Sequence, residues 1–450
     1  MMNQREIVDL YKALSTNDFQ QIKGPGNQTG GAALIPESLE QSLKVLTYDE
    51  TNLKLWRDIP KVKAFSTVEE YNTITDYGED LSGFQREGIA GVDTTASIER
   101  NFELIKCLNT TRSITDLQTL VTNVTEPEAL ETQNGMRYIL GQAERALFYG
   151  DSTLSADGKE GIEWNGIIKQ AEANNTIDLK GEYLTDKVLN NSAETVLNNY
   201  GQATKVYMPI NVSRVFSEQY YPNQRALMNV EAGNVVAGTT VTQFNSVGGT
   251  MDVVPNVFMR RGITALDPKQ AAAGQNPPSA PTVKAEVYAE GEGDAMDKGT
   301  YRYAVVAYNE NGRSVAVEAA PIALTENQAK GIKLTIKNSD AQLFAPEYFV
   351  IYRTEKDKTD YYEIARVGAK TSQKGGETEF IDKNETLPNT AMAVVGDFRE
   401  QNIVFKQLAP MFKLPYAMVG PVRRFGVFLY GTPIVYAPKR FVVIKNIKVK

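Results

Sequence analysis

Residues 125–151 read TEPEALETQNGMRYILGQAERALFYGD, and this stretch decides the fold. Thr125 and Glu128 have the spacing of a capping box, and Pro127 suits the first turn of the helix that follows. Apolar side chains then recur along one helical face, at Leu130, Met136, Ile139, Leu140, Ala143 and Leu147. Gly150 marks the C-terminal end of the predicted helix. The stretch predicts a single helix of about 23 residues, roughly 35 Å long, which would act as the spine of a flat subunit.

The sequence before this helix predicts an arm and a long ribbon. Residues 1–63 combine a short amphipathic helix, a Gly-rich stretch and a second helix over 36–47, which is typical of an N-terminal arm. Residues 64–115 form an extended loop, with two β-type arms around a Gly-rich, acidic middle. Because a two-stranded ribbon of this length is not stable alone in water, we expect it to lie on its own body or on a neighbouring subunit.

The sequence after the helix predicts a mixed domain that is interrupted. We divide this part of the chain into 116–185, which contains the spine helix, and 186–277, where helix and strand patterns alternate. The mixed pattern resumes over 391–450 and ends in strands. A linker rich in Ala, Gly, Gln and Pro at 267–281 precedes the interruption.

Residues 278–390 have a purely β pattern. Six or so short strands with turn signals between them indicate a β-sandwich. The stretches 301–314 and 348–353 resemble the fibronectin type III pattern. Since the mixed pattern returns afterwards, we expect an inserted immunoglobulin-like domain whose two ends meet at an exposed loop of the parent.

Composition excludes the common catalytic schemes. The chain has 450 residues, a formal net charge of −7, one cysteine and no histidine. Without histidine, Ser–His–Asp and Cys–His nucleophiles and histidine metal sites are impossible, and one cysteine cannot form a four-thiolate site. We therefore predict no catalytic, cofactor-binding or metal-binding residues and no cofactor. We also expect no secretory signal, no membrane span and no basic stripe for tight DNA binding.

Several local patterns have both a functional and a structural interpretation. Asp151, Thr153, Ser155 and Asp157 follow calcium-loop spacing, but Ala156 and Ile162 stand where Gly and Glu are required, so we expect a solvated turn. The remaining candidates are expected to be packing anchors (Trp56, Trp164), surface charges (Glu69, Glu70), a hairpin tip (291–294) and a solvated face (Arg423, Arg424). The alternative interpretation of the two arginines is that they face DNA or the acidic residues of a neighbour.

The parent segments resemble the major capsid proteins of tailed bacteriophages, which share the Johnson fold. The resemblance rests on 32–39 (AALIPESL), 64–67 (AFST), 143–151 (AERALFYGD), 161–168 (GIEWNGII) and 206–209 (VYMP), and on their order. It covers roughly three-quarters of the chain and implies an α+β fold with N-arm, extended loop, spine helix and axial domain. In such a fold, 116–185 would be the peripheral domain, 186–277 the first part of the axial domain, and 391–450 the axial return with the C-terminal strands. The all-β sandwich would be an insertion displayed on the capsid surface.

The resemblance implies a structural role and no enzyme. Subunits would form the hexamers and pentamers of an icosahedral shell that encloses double-stranded DNA without reading its sequence. The extended loop would lie over an adjacent subunit and the N-arm would reach another. Expected partners are a scaffold, a portal and decoration proteins, with assembly in the host bacterial cytoplasm. Whether the N-terminus is trimmed by a protease stays open. Lys–Asn cross-links between subunits also stay open, because no spacing singles out one lysine and one asparagine.

Two other classes of function remain open from the sequence. An encapsulin-like shell protein shares the fold but would enclose an enzyme and would not be expected to carry the insert. A fibronectin-type adhesin or carbohydrate-binding protein predicts an export signal and tandem modules, whereas we expect no export signal and only one module. Another phage structural or adhesion protein is a further alternative. A terminase or portal gene next to the gene for this protein would distinguish a phage capsid protein from an encapsulin-like shell protein.

Overall fold

The computed structural model describes residues 47–78, 84, 86–88, 95–120, 126–224, 240–288, 296–325, 331–418 and 420–449. The predicted arm up to residue 46, Thr125 and the 291–294 tip lie outside these ranges, as does most of the loop tip between 79 and 94. The helices are α1 (Lys54–Asp58), α2 (Asp116–Leu120), α3 (Pro127–Tyr149), α4 (Ile167–Gln170), α5 (Asp186–Asn198) and α6 (Ile210–Gln224). Within the described ranges, no helix has the length and apolar character needed to cross a membrane.

The described residues contain twenty-four strands. The first eight are β1 (Lys61–Lys63), β2 (Val68–Asp76), β3 (Ser97–Leu104), β4 (Lys106–Thr115), β5 (Thr176–Asp178), β6 (Lys205–Pro209), β7 (Gln243–Ser246) and β8 (Gly249–Asn256). The next eight are β9 (Ala265–Leu266), β10 (Ala273–Gly274), β11 (Thr282–Tyr288), β12 (Gly299–Tyr301), β13 (Tyr303–Asn309), β14 (Gly312–Arg313), β15 (Val317–Glu318) and β16 (Ile322–Leu324). The last eight are β17 (Gly331–Lys337), β18 (Tyr348–Thr354), β19 (Tyr361–Gly368), β20 (Glu377–Asp382), β21 (Thr390–Gly396), β22 (Ile403–Pro415), β23 (Val422–Val435) and β24 (Phe441–Lys448).

The spine helix α3 has the predicted 23 residues. Its N-cap is Glu126, which makes no side-chain capping bond, and the Thr125 of the predicted capping box is outside the described residues. Gly150 ends the helix in an extended conformation (φ −58°, ψ 144°), not in the left-handed one expected of a terminal glycine. A Cβ there would lie 2.3 Å from the Trp164 carbonyl oxygen. Close approach of backbone is therefore what requires glycine.

A peripheral sheet packs on the spine helix. Its strand order is β1-β22-β23-β4, and β23 runs antiparallel to both β22 and β4. Ile139, Ala143 and Leu147 of α3 share a core with Phe405 and Val427 of this sheet. Alternate side chains of each strand point to opposite faces, so the second face of the sheet points away from the helix.

A second, axial sheet has the order β5-β24-β21-β6-β8-β7. Helix α5 contributes Leu189, Ala193 and Val196 to its core, and α6 contributes Val212 and Phe216. Strand β6 runs parallel to β8 and antiparallel to β21. Two central strands, β21 and β24, come from the last 61 residues of the chain, so this sheet joins residues from before 260 and after 389.

Between these two contributions lies a β-rich segment, residues 265–382. One sheet has the order β10-β14-β13-β18-β19-β9 and a second has β11-β17-β20. Side chains of β13, β17 and β18 share one core, so the sheets pack face to face. Strands β9 and β10 pair with β19 and β14, although they precede the predicted boundary at 278. The predicted linker at 267–281 thus contains part of a sheet.

The extended loop is a hairpin of β2 and β3. Its antiparallel register places Ile74 opposite Ile98 and Glu70 opposite Phe102. Strand β4 leaves the hairpin and joins β23 of the peripheral sheet. The predicted outgoing and returning arms are thus present, and the returning arm is divided between two sheets.

Candidate assembly surfaces and buried polar clusters

One face of the β2–β3 hairpin is apolar and exposed. Ile74, Ile98 and Phe102 are 57%, 62% and 65% exposed, and Val68 lies on the same face. Arg100 and Glu70 form an ion pair between them. Large apolar side chains this exposed on neighbouring positions are typical of a surface that another protein covers.

The opposite face of the hairpin packs on the subunit's own body. The Tyr71 ring lies edge-on against Tyr436 at 5.1 Å between centroids, and the Glu69 carboxylate is 3.6 Å from the Lys406 ammonium. Burial raises the pKa of Glu103 above its usual value. One face of the hairpin is thus anchored to the body of the subunit. The apolar face described above points away from the body.

The outward face of the peripheral sheet carries an aromatic stack. The Phe412, Phe428 and Tyr430 rings stack with centroid distances of 5.7–6.1 Å. Leu414 and Met418 near the β22–β23 turn are exposed. This is a second apolar surface, distinct from the hairpin.

A buried carboxylate joins three parts of the parent body. Glu144 of the spine helix is 0% exposed. Its oxygens accept hydrogen bonds from the Leu55 amide (2.8 Å), the Trp56 amide (2.6 Å) and the Asn256 side chain (2.7 Å). Burial raises the pKa of this carboxyl, against the effect of the three donors. Glu144 thereby fixes α1 and the end of β8 to the spine helix.

A second cluster joins the parent body to the β-rich segment. The Glu363 carboxylate of β19 accepts from Arg261 at 2.6 Å and from Arg366 at 2.8 Å. Burial alone would raise the pKa of Glu363, but the two guanidinium groups outweigh it and hold that pKa below its usual value. Arg261 follows β8 and so belongs to the parent body, whereas Glu363 and Arg366 belong to the β-rich segment. These ion pairs therefore form a charged clamp between the two parts.

The loop after the spine helix adds a further clamp. Ala156 packs into the core of the β-rich segment, and the Asp157 carboxylate accepts hydrogen bonds from the Ser372 amide (3.0 Å) and hydroxyl (2.6 Å). Asp151 accepts from Thr153 and pairs with Lys169 at 3.1 Å. No metal-binding group of three or more His, Cys, Asp or Glu side chains occurs in the part of the chain that the structure describes. The calcium-like spacing therefore forms a hydrogen-bonded turn.

The other residues that the sequence singled out have structural partners. Trp56 and Trp164 both pack edge-on against Phe405, at 4.9 and 5.6 Å between ring centroids, so the packing interpretation is confirmed. Arg423 pairs with Asp116 at 3.0 Å. Glu69 and Glu70 point to opposite faces of the hairpin, as expected of strand neighbours, so they cannot act as a catalytic pair. Glu70 is a surface charge as predicted, but that prediction is wrong for Glu69, whose side chain is only 12% exposed because its face of the hairpin packs on the body beside Lys406.

Comparisons with known proteins decide the family. The family model described as the SU10 major capsid protein matches residues 16–281. The major capsid protein of Staphylococcus phage K is 31% identical over 451 aligned positions, which cover 99% of this chain and 97% of that protein. The chain belongs to the SU10 major capsid protein family. A putative major capsid protein of Enterococcus phage phiEF24C is also 31% identical, covering 94% and 92%.

Family membership establishes the role of this capsid protein. It is the major head protein of a tailed phage, an oligomeric structural subunit of the virion capsid and not an enzyme. The predicted α+β fold class is confirmed, and so is the predicted role as the major capsid protein of a tailed phage.

Solved capsid and encapsulin shells match the chain at low sequence identity. The capsid of a native GTA particle matches with a TM-score of 0.47 and 10% identity, covering 93% of this chain and 97% of that one. Mycobacterium phage Bobi gives 0.48 and 7%, covering 92% and 97%. A holo-SrpI encapsulin complex from Synechococcus elongatus gives 0.44 and 8%, covering 94% and 97%.

Sequence reasoning missed both buried clusters in this capsid protein. Glu144 lies one position after Ala143, on a flank of the predicted apolar stripe, where an acidic residue is normally solvated. Glu363 lies between strand residues of an ordinary β pattern. Arg366 lies only three positions from Glu363, but the other partners are more than 85 residues distant along the chain, so no local spacing signals the two clusters.

Proposed function

We propose that this capsid subunit closes a shell of hexamers and pentamers around double-stranded DNA by laying the exposed face of the β2–β3 hairpin over an adjacent copy. The observation that carries the proposal is the pair of unlike hairpin faces. One face is already fixed to the subunit, and the other presents Ile74, Ile98 and Phe102 to solvent. Burying such side chains stabilises a contact by about 1.5–3 kcal/mol each, which is repeated at every subunit of a shell.

We further propose that residues 278–390 are an inserted immunoglobulin-like domain displayed on the outer surface. The pairing of β6 with β21 supports an insertion, because these neighbours in one sheet stand on either side of the β-rich segment. The separate core of that segment supports an independent domain. The division of the parent into arm, loop, peripheral and axial parts belongs to the same proposal.

The remaining partners are proposed from the family. A scaffold and a portal would direct assembly in the host cytoplasm, decoration proteins would bind the finished shell, and the N-arm would reach a second neighbour. A chain with one cysteine and no requirement for disulfides suits a reducing compartment.

The test of the hairpin is a double substitution on its exposed face. Ile98→Ser with Phe102→Ser should leave folded subunits, because both side chains are more than half exposed, and should lower the yield of shells at least tenfold. Circular dichroism checks the fold, and sedimentation with negative-stain microscopy measures the shells. The matched control is Asn72→Ser, an exposed polar position on the same face, which should assemble normally.

Normal shells from the double variant would show that the hairpin does not clasp a neighbour. Deletion of residues 79–92, the loop tip, is the coarser companion variant and should also give folded subunits that assemble poorly.

A further inference from the structure

A cleft of about 800 Å³ opens where the spine helix ends against the β-rich segment. Its wall carries five arginines: Arg145, Arg260, Arg261, Arg313 and Arg366. Three carboxylates share the wall, those of Glu163, Asp267 and Glu363. Guanidinium groups thus outnumber carboxylates inside a concave surface, and a low-dielectric concave wall strengthens the attraction for anions.

Three of the five arginines form no ion pair with a described residue. Glu363 pairs with Arg261 and Arg366, as described above, and the Asp267 carboxylate accepts a hydrogen bond from the Lys269 amide at 2.9 Å. Among the described residues, no carboxylate forms an ion pair with Arg145, Arg260 or Arg313. Arg145 only stacks over the Phe258 ring, at 5.6 Å.

The inner wall also holds an unpartnered donor. The Tyr149 hydroxyl is buried and has no hydrogen-bond partner within the described ranges. The Arg261 guanidinium lies over the same ring at 5.4 Å. A buried hydroxyl without a partner costs stability, which an acceptor brought into the cleft would restore.

We propose that this cleft binds a small multivalent phosphate anion, held by Arg145, Arg260 and Arg313 with the Tyr149 hydroxyl at its inner end. Arginine presents planar, paired N–H donors that match phosphate oxygens. A concave pocket of this volume suits a free polyphosphate, whereas a DNA duplex needs a ridge or helix that enters its grooves. This site is independent of the hairpin proposed above to join subunits.

The test uses inorganic tripolyphosphate and the full-length subunit in isothermal titration calorimetry at low salt. Wild-type protein should bind one anion per subunit. Arg145→Gln with Arg260→Gln should weaken binding at least tenfold, because two charge-assisted contacts are lost. The matched control, Arg57→Gln with Arg424→Gln, removes the same charge from exposed positions outside the cleft and should retain the wild-type affinity. Tyr149→Phe should weaken binding severalfold.

Each contrary result has a clear meaning. Absence of binding to wild-type protein, or an equal loss in the two double variants, overturns the proposal. A short DNA duplex that binds in the cleft more tightly per phosphate than tripolyphosphate, with the same loss in the cleft variant, assigns the arginines to nucleic acid and also overturns it. Circular dichroism of each variant distinguishes loss of binding from loss of fold.

Discussion

Single buried carboxylates hold this subunit together at points where distant parts of the chain meet. Glu144 accepts hydrogen bonds from two consecutive backbone amides and one side-chain amide. Each of these donors is buried or partly buried, so removing the carboxylate leaves them without an acceptor and without full access to water.

Glu144→Ala should lower the free energy of unfolding by about 3 kcal/mol or more, since buried donors without partners cost about 1–3 kcal/mol each. Chemical denaturation of the full-length subunit measures it. Glu131→Ala on the same helix is the control, because its contact with Arg112 is long (3.8 Å) and partly exposed, so its effect should stay below about 1 kcal/mol. Equal losses in the two variants would contradict the role given to Glu144.

Glu363 makes stability depend on pH. Its pKa is held below the usual 4.5 by Arg261 and Arg366, so the unfolded chain binds a proton more readily than the folded one. The stability that this group contributes is complete above pH 4.5 and is lost as the pH falls further towards the folded-state pKa.

Glu363→Gln should therefore destabilise the subunit by about 3 kcal/mol at pH 7, where it leaves Arg261 and Arg366 without their carboxylate. The difference from wild type should shrink as the pH falls below 4.5. Urea unfolding at several pH values measures this. Glu377→Gln, at an exposed position, should follow the wild-type curve. A difference for Glu363→Gln that stays constant with pH would refute the charged clamp.

At the scale of elements, the spine helix was predictable because its signals are local. Its apolar period, proline and terminal glycine all lie within one short stretch, and the structure has the predicted length. The reason for Gly150 was not predictable, because it depends on the Trp164 backbone, which folds back against the helix end. Strands β9 and β10 were missed for a related reason, since each is two residues long and exists only through its partner strand.

Gly150→Ala should cost about 2 kcal/mol or more, because the new methyl group would lie 2.3 Å from the Trp164 carbonyl oxygen and 2.6 Å from that of Ala146, so the backbone would have to shift. Thermal or chemical unfolding measures the loss. Gly248→Ala is the matched control, as its Cβ would have only one neighbour, at 3.9 Å. A loss at Gly150 no larger than at Gly248 would contradict the close-approach explanation.

At the scale of the whole molecule, the order of parts was predictable and their mutual contacts were not. The interruption of a mixed pattern by a β pattern predicts an insertion, which is the proposal made above from the pairing of β6 with β21. The clamps of Glu363 and Asp157 join residues more than 100 positions apart, and only the folded chain brings them together. The exposed hairpin face was predictable in outline, because a long ribbon needs a partner surface.

Replacing residues 280–388 by a short Gly/Ser linker should leave a folded protein that still forms shells, with a lower melting temperature. The parent would lose the Glu363 and Ser372 contacts and would expose Ala156. Differential scanning calorimetry and negative-stain microscopy measure the two properties. An unfolded product, as opposed to an unassembled one, would show that the β-rich segment is part of the parent core.

The position of β21 and β24 within the axial sheet also bears on synthesis. During translation, β6 and β8 leave the ribosome long before the two strands that complete their sheet, and the whole β-rich segment emerges in between. A nascent chain therefore carries an incomplete sheet until its final residues are made. Truncated products lack the centre of that sheet. Fragments from premature termination are therefore unable to join a growing capsid and do not disturb its assembly.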